Sequence, residues 1–387
     1  MKFAATFRIF NLYYLHGNTM RRILIFPSLL IFLSLACGGT PTPPPLPETS
    51  VFDADGTAYG FFPTPPEATL ESILQHFKDM AQHGDFVLIQ QSTDWEGFAN
   101  GVDSESQTRT DLTNQVILAR QNNLETIFVL DPLNGLNRRE FIRLPAGWEA
   151  SFADPNVRMA HKNYALWVVQ NFHPRYLGLA SEINTYMDAH PNDAPNFISL
   201  YHEIYALVKA ESPETQVFVT FQWDDLNNMY PQPEEGDRQK FQPNWEQVEA
   251  FEPNLDVWAI STYPYFVFPS GADIPADYYS ALLSRTSKPV AIAEGGFSTE
   301  TFEQFANTPE DQVAYLNTIH NQLGSQMAFW VNTTLNDFNL DSYAKELEKQ
   351  GRNPNDAFML GNFAYIGLRN FDGSPKPALE VWDGFRQ

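Results

Sequence analysis

Two glutamates stand where an apolar stretch gives way to a polar one. In Leu179-Ala180-Ser181-Glu182-Ile183-Asn184 and in Val290-Ala291-Ile292-Ala293-Glu294-Gly295-Gly296, the Glu is the first charged residue after the run. The chain has 47 Asp and Glu, so composition alone singles out none of them and position must do the selecting. Two carboxyl groups facing one another can cleave a glycosidic bond: one protonates the leaving oxygen, and the other attacks the anomeric carbon or activates water. Other chemistries find less material. The eight His show no paired metal-binding spacing, and the single cysteine, Cys37, leaves neither an intramolecular disulfide nor a cysteine cluster, so no protein-bound zinc site is expected. A net charge of −23 argues against a basic surface for nucleic acid or anionic lipid.

The elements that must position the glutamates follow from the hydrophobic pattern. Eight short apolar runs cover residues 58–62, 86–90, 126–130, 177–181, 217–221, 257–262, 290–294 and 327–332. Helix-like amphipathic stretches lie between them, as at 70–82, 111–121, 160–171, 197–210 and 311–323, the first ending at Gly84. Continuous apolar runs suit parallel strands buried on both faces. The runs recur about every 38 residues, room for a strand, a helix and two loops, which predicts a single-domain (β/α)₈ barrel over 51–387. An open doubly wound sheet would carry a glycine-rich turn after its first strand; here that turn reads Phe61-Phe62-Pro63-Thr64-Pro65. In a barrel, reacting groups sit at the C-terminal strand ends, and Glu182 and Glu294 end the fourth and seventh runs. Strands four and seven lie nearly opposite one another on such a ring.

These stretches resemble the retaining glycosidase clan of (β/α)₈ barrels that carries its acid/base and nucleophile on strands four and seven, the clan of endo-β-1,4-galactanases and β-mannanases. The stretch 179–184 looks like the acid/base strand. Asp256-Val257-Trp258-Ala259-Ile260-Ser261-Thr262-Tyr263-Pro264-Tyr265 looks like a sixth strand ending in Tyr-Pro, and 288–296 looks like the nucleophile strand. The tail 367–378 is similar to the last turn and helix of such enzymes. The resemblance implies Glu294 as nucleophile, hydrogen-bonded by Tyr263, and Glu182 as acid/base with a raised pKa. It also implies Trp330 as the floor of the subsite whose bond breaks. The clan usually has Asn before its acid/base Glu; Ser181 departs from that pattern. Asp131 and Asp94 beside Trp95 are expected as further sugar contacts, and Trp95, Trp223 and Tyr265 as stacking platforms, since aromatic side chains are abundant at 14%. Glu96, Asp224 and Asp337 also fall near strand ends.

The N-terminal part reads differently. Arg21-Arg22, an apolar run from Ile23 to Ala36 and then Cys37-Gly38-Gly39 form an export signal of lipoprotein type within residues 1–37, with Met20 as a better start than Met1. Residues 38–50 are a Pro/Thr-rich tether. The expectation is an exported, membrane-anchored monomer, held by lipid on Cys37 alone, that hydrolyses β-linked polysaccharide or oligosaccharide without a cofactor. The long stretches 131–157 and 227–247 point to an open cleft and endo action. The alternative is a surface sugar-binding lipoprotein that kept the barrel and lost turnover, and a transglycosylase could use the same two acids.

Overall fold

The computed structural model describes residues 43–45, 50–53, 56–102, 106–230, 239–303 and 305–387. The export segment 1–37 with Cys37, and most of 38–50, lie outside the described residues. The apolar runs form β1 (Ala58–Phe61), β2 (Phe86–Ser92) and β3 (Glu125–Asp131). A hairpin that no run foretold follows, β4 (Leu133–Asn134) with β5 (Asn137–Phe141). The remaining strands are β6 (Tyr176–Gly178), β7 (Gln216–Phe218), β8 (Thr220–Gln222), β9 (Trp258–Thr262), β10 (Val290–Gly295) and β11 (Met327–Val331). The parallel order β7-β6-β3-β2-β1-β11-β10-β9-β8 is a barrel. Its two ends, β7 and β8, are one run interrupted at Val219, so the covalent chain closes the ring. Leu179 N–H to Phe218 O (2.9 Å) and Thr220 N–H to Ala180 O (3.1 Å) carry the pairing across that break.

Alternation along β11 decides which side chains fill the barrel. Phe329 points inward, with the rings of Phe86, Tyr176 and Phe218 at 5.9, 5.0 and 5.8 Å. Trp330, one residue on, therefore points outward. It packs against Tyr59, Trp382 and Phe385, between the strands and the last helix, Pro377–Phe385.

The helices start where the local chemistry caps them. Thr69, Ser106, Asp154 and Thr308 each accept a backbone N–H at the head of Leu70–His83, Gln107–Gln121, Pro155–Phe172 and Pro309–Leu323. Each such cap contributes about 1 kcal/mol. Gly84 does end the first helix, but in an extended rather than a left-handed conformation. After β11 the chain adds helix Leu340–Lys349 and the 3-10 turns Pro354–Phe363, which build a small core of their own around Tyr343, Leu347 and Leu360. Phe363 from this addition leans on Tyr263, 5.0 Å between rings. Among the described residues no helix is long and apolar enough to cross a membrane.

Candidate active site

Glu182 follows β6 by four residues, and Glu294 lies near the end of β10. Glu182 takes a left-handed backbone, φ 50° and ψ 44°, at the head of the short helix Ile183–Ala189. For a residue other than glycine this costs on the order of 1–2 kcal/mol, so its surroundings must hold it. Thr220 Oγ1 accepts the Glu182 N–H at 2.8 Å, and Asn184 exchanges hydrogen bonds with the backbone of Gln222. The carboxylate accepts from Ser261 Oγ at 2.5 Å on one oxygen and from Arg138 Nε at 2.8 Å on the other.

Glu294 accepts from Ser181 Oγ at 2.5 Å and from Tyr263 Oη at 3.2 Å. The Tyr263 hydroxyl is itself 2.8 Å from the hydroxyl of Thr333, just past the end of β11. Arg138 Nη2 stands 3.7 Å from Glu294 and 3.2 Å from Ser181 Oγ, while Nη1 pairs with Asp131. Asp131 is fully buried behind the guanidinium and also accepts from Leu133 N–H and Gln90. Three carboxylates thus share one guanidinium, and Glu182 and Glu294 are only 8% and 6% exposed. With every carboxyl ionised the cluster would carry −3 + 1 = −2 in low dielectric. Burial first, and then the charge of Glu182, push Glu294 up to about 7, against the pull of Arg138 and Ser181. Burial alone would lower Arg138, but its three acidic neighbours outweigh it and the net shift is upward. Burial raises Asp131 despite its arginine. Tyr263 is raised by burial and then by Glu294, so its hydroxyl stays a donor.

Sequence reasoning missed Arg138. It lies on β5, in the stretch 131–157 that the sequence presents only as a long loop; part of that stretch forms the β4–β5 hairpin, and Arg138 reaches from it to both glutamates. Trp95 explains how the hairpin is held. Expected as a sugar platform, it is 2% exposed. Its Nε1 donates to Ile142 O at 2.7 Å, and its ring packs on Phe141, Trp148 and His161. The other expected platforms are also buried among protein side chains. Trp330 lies in the outer layer described above. Trp223 is fully buried against Trp245 and Tyr278. Tyr265 is fully buried, donates to Asn362 O at 2.6 Å and packs on Phe266, Phe297 and Phe302.

Glu182, Glu294, Ser181, Tyr263 and Asp131 are brought together; Trp95, Trp223, Tyr265 and Trp330 are not. The remaining acids have local duties. Asp94 caps helix Trp95–Ala99, beside an exposed Glu96. Asp337 pairs with Lys376 at 2.7 Å. Asp224 accepts from Tyr278 Oη (2.7 Å) and Tyr263 N–H (3.1 Å), and burial lifts it to about 6. Among the described residues no group of His, Cys, Asp and Glu is arranged to hold a metal ion.

No family model matches the sequence, and no curated protein matches it. Solved structures do match the fold. An exo-β-1,4-mannosidase from Opitutaceae bacterium strain TAV5 is similar with a TM-score of 0.61 and 14% identity, over 85% of this chain and 59% of that one. A GH5_18 protein from Bifidobacterium longum subsp. infantis is similar at 0.58 and 14%, over 86% and 79%. Xylanase 10B from Thermotoga maritima is similar at 0.54 and 11%, over 85% and 94%. The chain therefore spans about three fifths of the length of the mannosidase it resembles. At such identities the likeness establishes a shared fold, the single-domain (β/α)₈ barrel.

Proposed function

We propose that this chain hydrolyses β-glycosidic bonds in a polysaccharide or oligosaccharide with retention of configuration, Glu294 attacking and Glu182 acting as acid and then base. The observation that carries the reading is the span of Arg138: one guanidinium lies 2.8 Å from Glu182 and 3.7 Å from Glu294, so carboxyl groups from two strand ends face a common space. Two such groups, near enough to feel each other's charge, are the equipment that glycoside cleavage needs. Glu182 would give its proton to the leaving oxygen while Glu294 bonds to the anomeric carbon. Once Glu294 is esterified its charge is gone, and Glu182 takes a proton from the incoming water. Tyr263 and Ser181 donate to Glu294 and favour its ionised form for the attack.

The mannosidase and xylanase among the structural neighbours make β-1,4-linked mannan and xylan the first substrates to try. The test is Glu294→Gln: turnover should fall by orders of magnitude while sugar binding persists, and wild-type products should retain the β anomer by NMR. A wild type that releases no reducing sugar from β-mannan, β-xylan, β-galactan or β-glucan refutes the reading in favour of a sugar-binding protein. Lipid on Cys37 would hold the barrel at a membrane through the tether, and Cys37→Ser should then release it into the soluble fraction.

A further inference from the structure

The contact between Arg138 and Glu182 conflicts with acid catalysis. A guanidinium has donors and no acceptor, so it stabilises Glu182 only as a carboxylate. A glycosidic oxygen has no hydrogen, so it can bond only the protonated form of that carboxyl. The two partners demand opposite states of one group. The guanidinium is placed to resolve the conflict by changing partner. Asp131 holds its Nη1 corner from behind, while the Nε edge faces Glu182 and Nη2 lies 3.7 Å from Glu294. Ser181 Oγ, bonded both to Nη2 (3.2 Å) and to Glu294 (2.5 Å), marks the short path between the two positions.

Resting on the glycosidase reading, we infer that Arg138 is a positioning residue that allocates one shared proton between the two glutamates. In the empty cleft it compensates Glu182, and the proton resides on Glu294. When a glycosidic oxygen engages Glu182, the guanidinium turns to Glu294. One proton leaves Glu294 and one is taken up by Glu182, so the charge of the site is unchanged and each group holds the state its step requires. The burial of Glu294 beside Glu182 agrees with a proton resting there in the empty site. The other titratable groups facing the pair are Asp131 on β3, Tyr263 after β9, and Asp224 with Tyr230 beyond β8. None of these is a cation, so the allocation falls to Arg138.

The experiment has two arms on wild type, Arg138→Met and Arg138→Lys, each checked for folding by circular dichroism. Without substrate, isotope-edited NMR of the glutamate carboxyls, assigned with Glu182→Gln and Glu294→Gln, should show Glu182 titrating below Glu294 in wild type. In Arg138→Met the Glu182 titration should rise by about one pH unit or more, as expected for a lost close counter-charge. Arg138→Lys should rise less. With substrate, both limbs of the kcat/KM profile should move up in Arg138→Met and be partly restored in Arg138→Lys. A uniform loss of rate with unmoved limbs, or Glu182 titrating above Glu294 in wild type, overturns the inference. Should Arg138→Met fail to fold, Arg138→Lys and Arg138→Gln carry the same comparison. If wild type hydrolyses nothing, the glycosidase reading fails, and the carboxyl titration still decides how Arg138 distributes the proton.

Discussion

Replacing Trp95 by Phe separates a buttress from a sugar platform. The indole N–H donates to the buried Ile142 carbonyl at 2.7 Å, and Phe keeps an aromatic ring among Phe141, Trp148 and His161 but cannot donate. The loss combines one net hydrogen bond with a carbonyl left dry, about 2 kcal/mol in total, and for a domain of this size that lowers Tm by about 4 °C. Because Ile142 follows β5, the hairpin should loosen and Arg138 with it, so kcat falls while KM for the hydrolysed glycan is essentially unchanged. Differential scanning fluorimetry and steady-state kinetics on the same preparation read both quantities. A variant with unaltered Tm and a KM raised tenfold or more would mean that Trp95 meets sugar, and the buttress argument would be wrong.

Trp330→Ala should act through the outer layer alone: it removes a fully buried indole packed on Tyr59, Trp382 and Phe385, costs about 3–5 kcal/mol of stability in chemical denaturation, and leaves sugar affinity in the surviving folded fraction unchanged. Lys376→Met strands the buried Asp337. Because burial already raises Asp337 to about 6, above its unfolded value, its contribution to stability falls as pH rises through that range. The variant should therefore lose about 3–5 kcal/mol at pH 8 and distinctly less at pH 5, as compared by urea unfolding at the two values; an equal loss at both would refute the ion-pair account.

What the sequence discloses and what it conceals divide along a physical line. Buried parallel strands write themselves as apolar runs, so the barrel and the strand ends bearing Glu182 and Glu294 are legible without coordinates. Strands buried on both faces carry no polar alternation, so nothing in Phe329-Trp330-Val331 tells which ring enters the barrel. That is why Trp330 reads as a mouth residue and is not one. Arg138 is hidden for another reason. Its hairpin pairs only at Leu133↔Phe141 and Asn134↔Asn137, too briefly to show a period, and its partners lie on β3, on β10 and in the turn after β6. The interruption at Val219 is equally silent, since the run 217–221 is apolar throughout save for Thr220.

That interruption has a mechanical consequence. β2 and β3 are joined over seven paired positions, whereas β6 and β7 share three and β8 and β9 share three. The hoop is thin at the staves beside Ser181, Glu182 and Thr220: β6 shares two positions with β3 and three with β7, as few as β1 shares with β2 and β11. Breathing of the native barrel should be marked there, and amide exchange along that seam should be faster than along the β2–β3 pair. The stave that leads to the strained glutamate is thus among those the hoop grips least, so on heating the carboxylate pair would come out of alignment before the barrel itself falls apart.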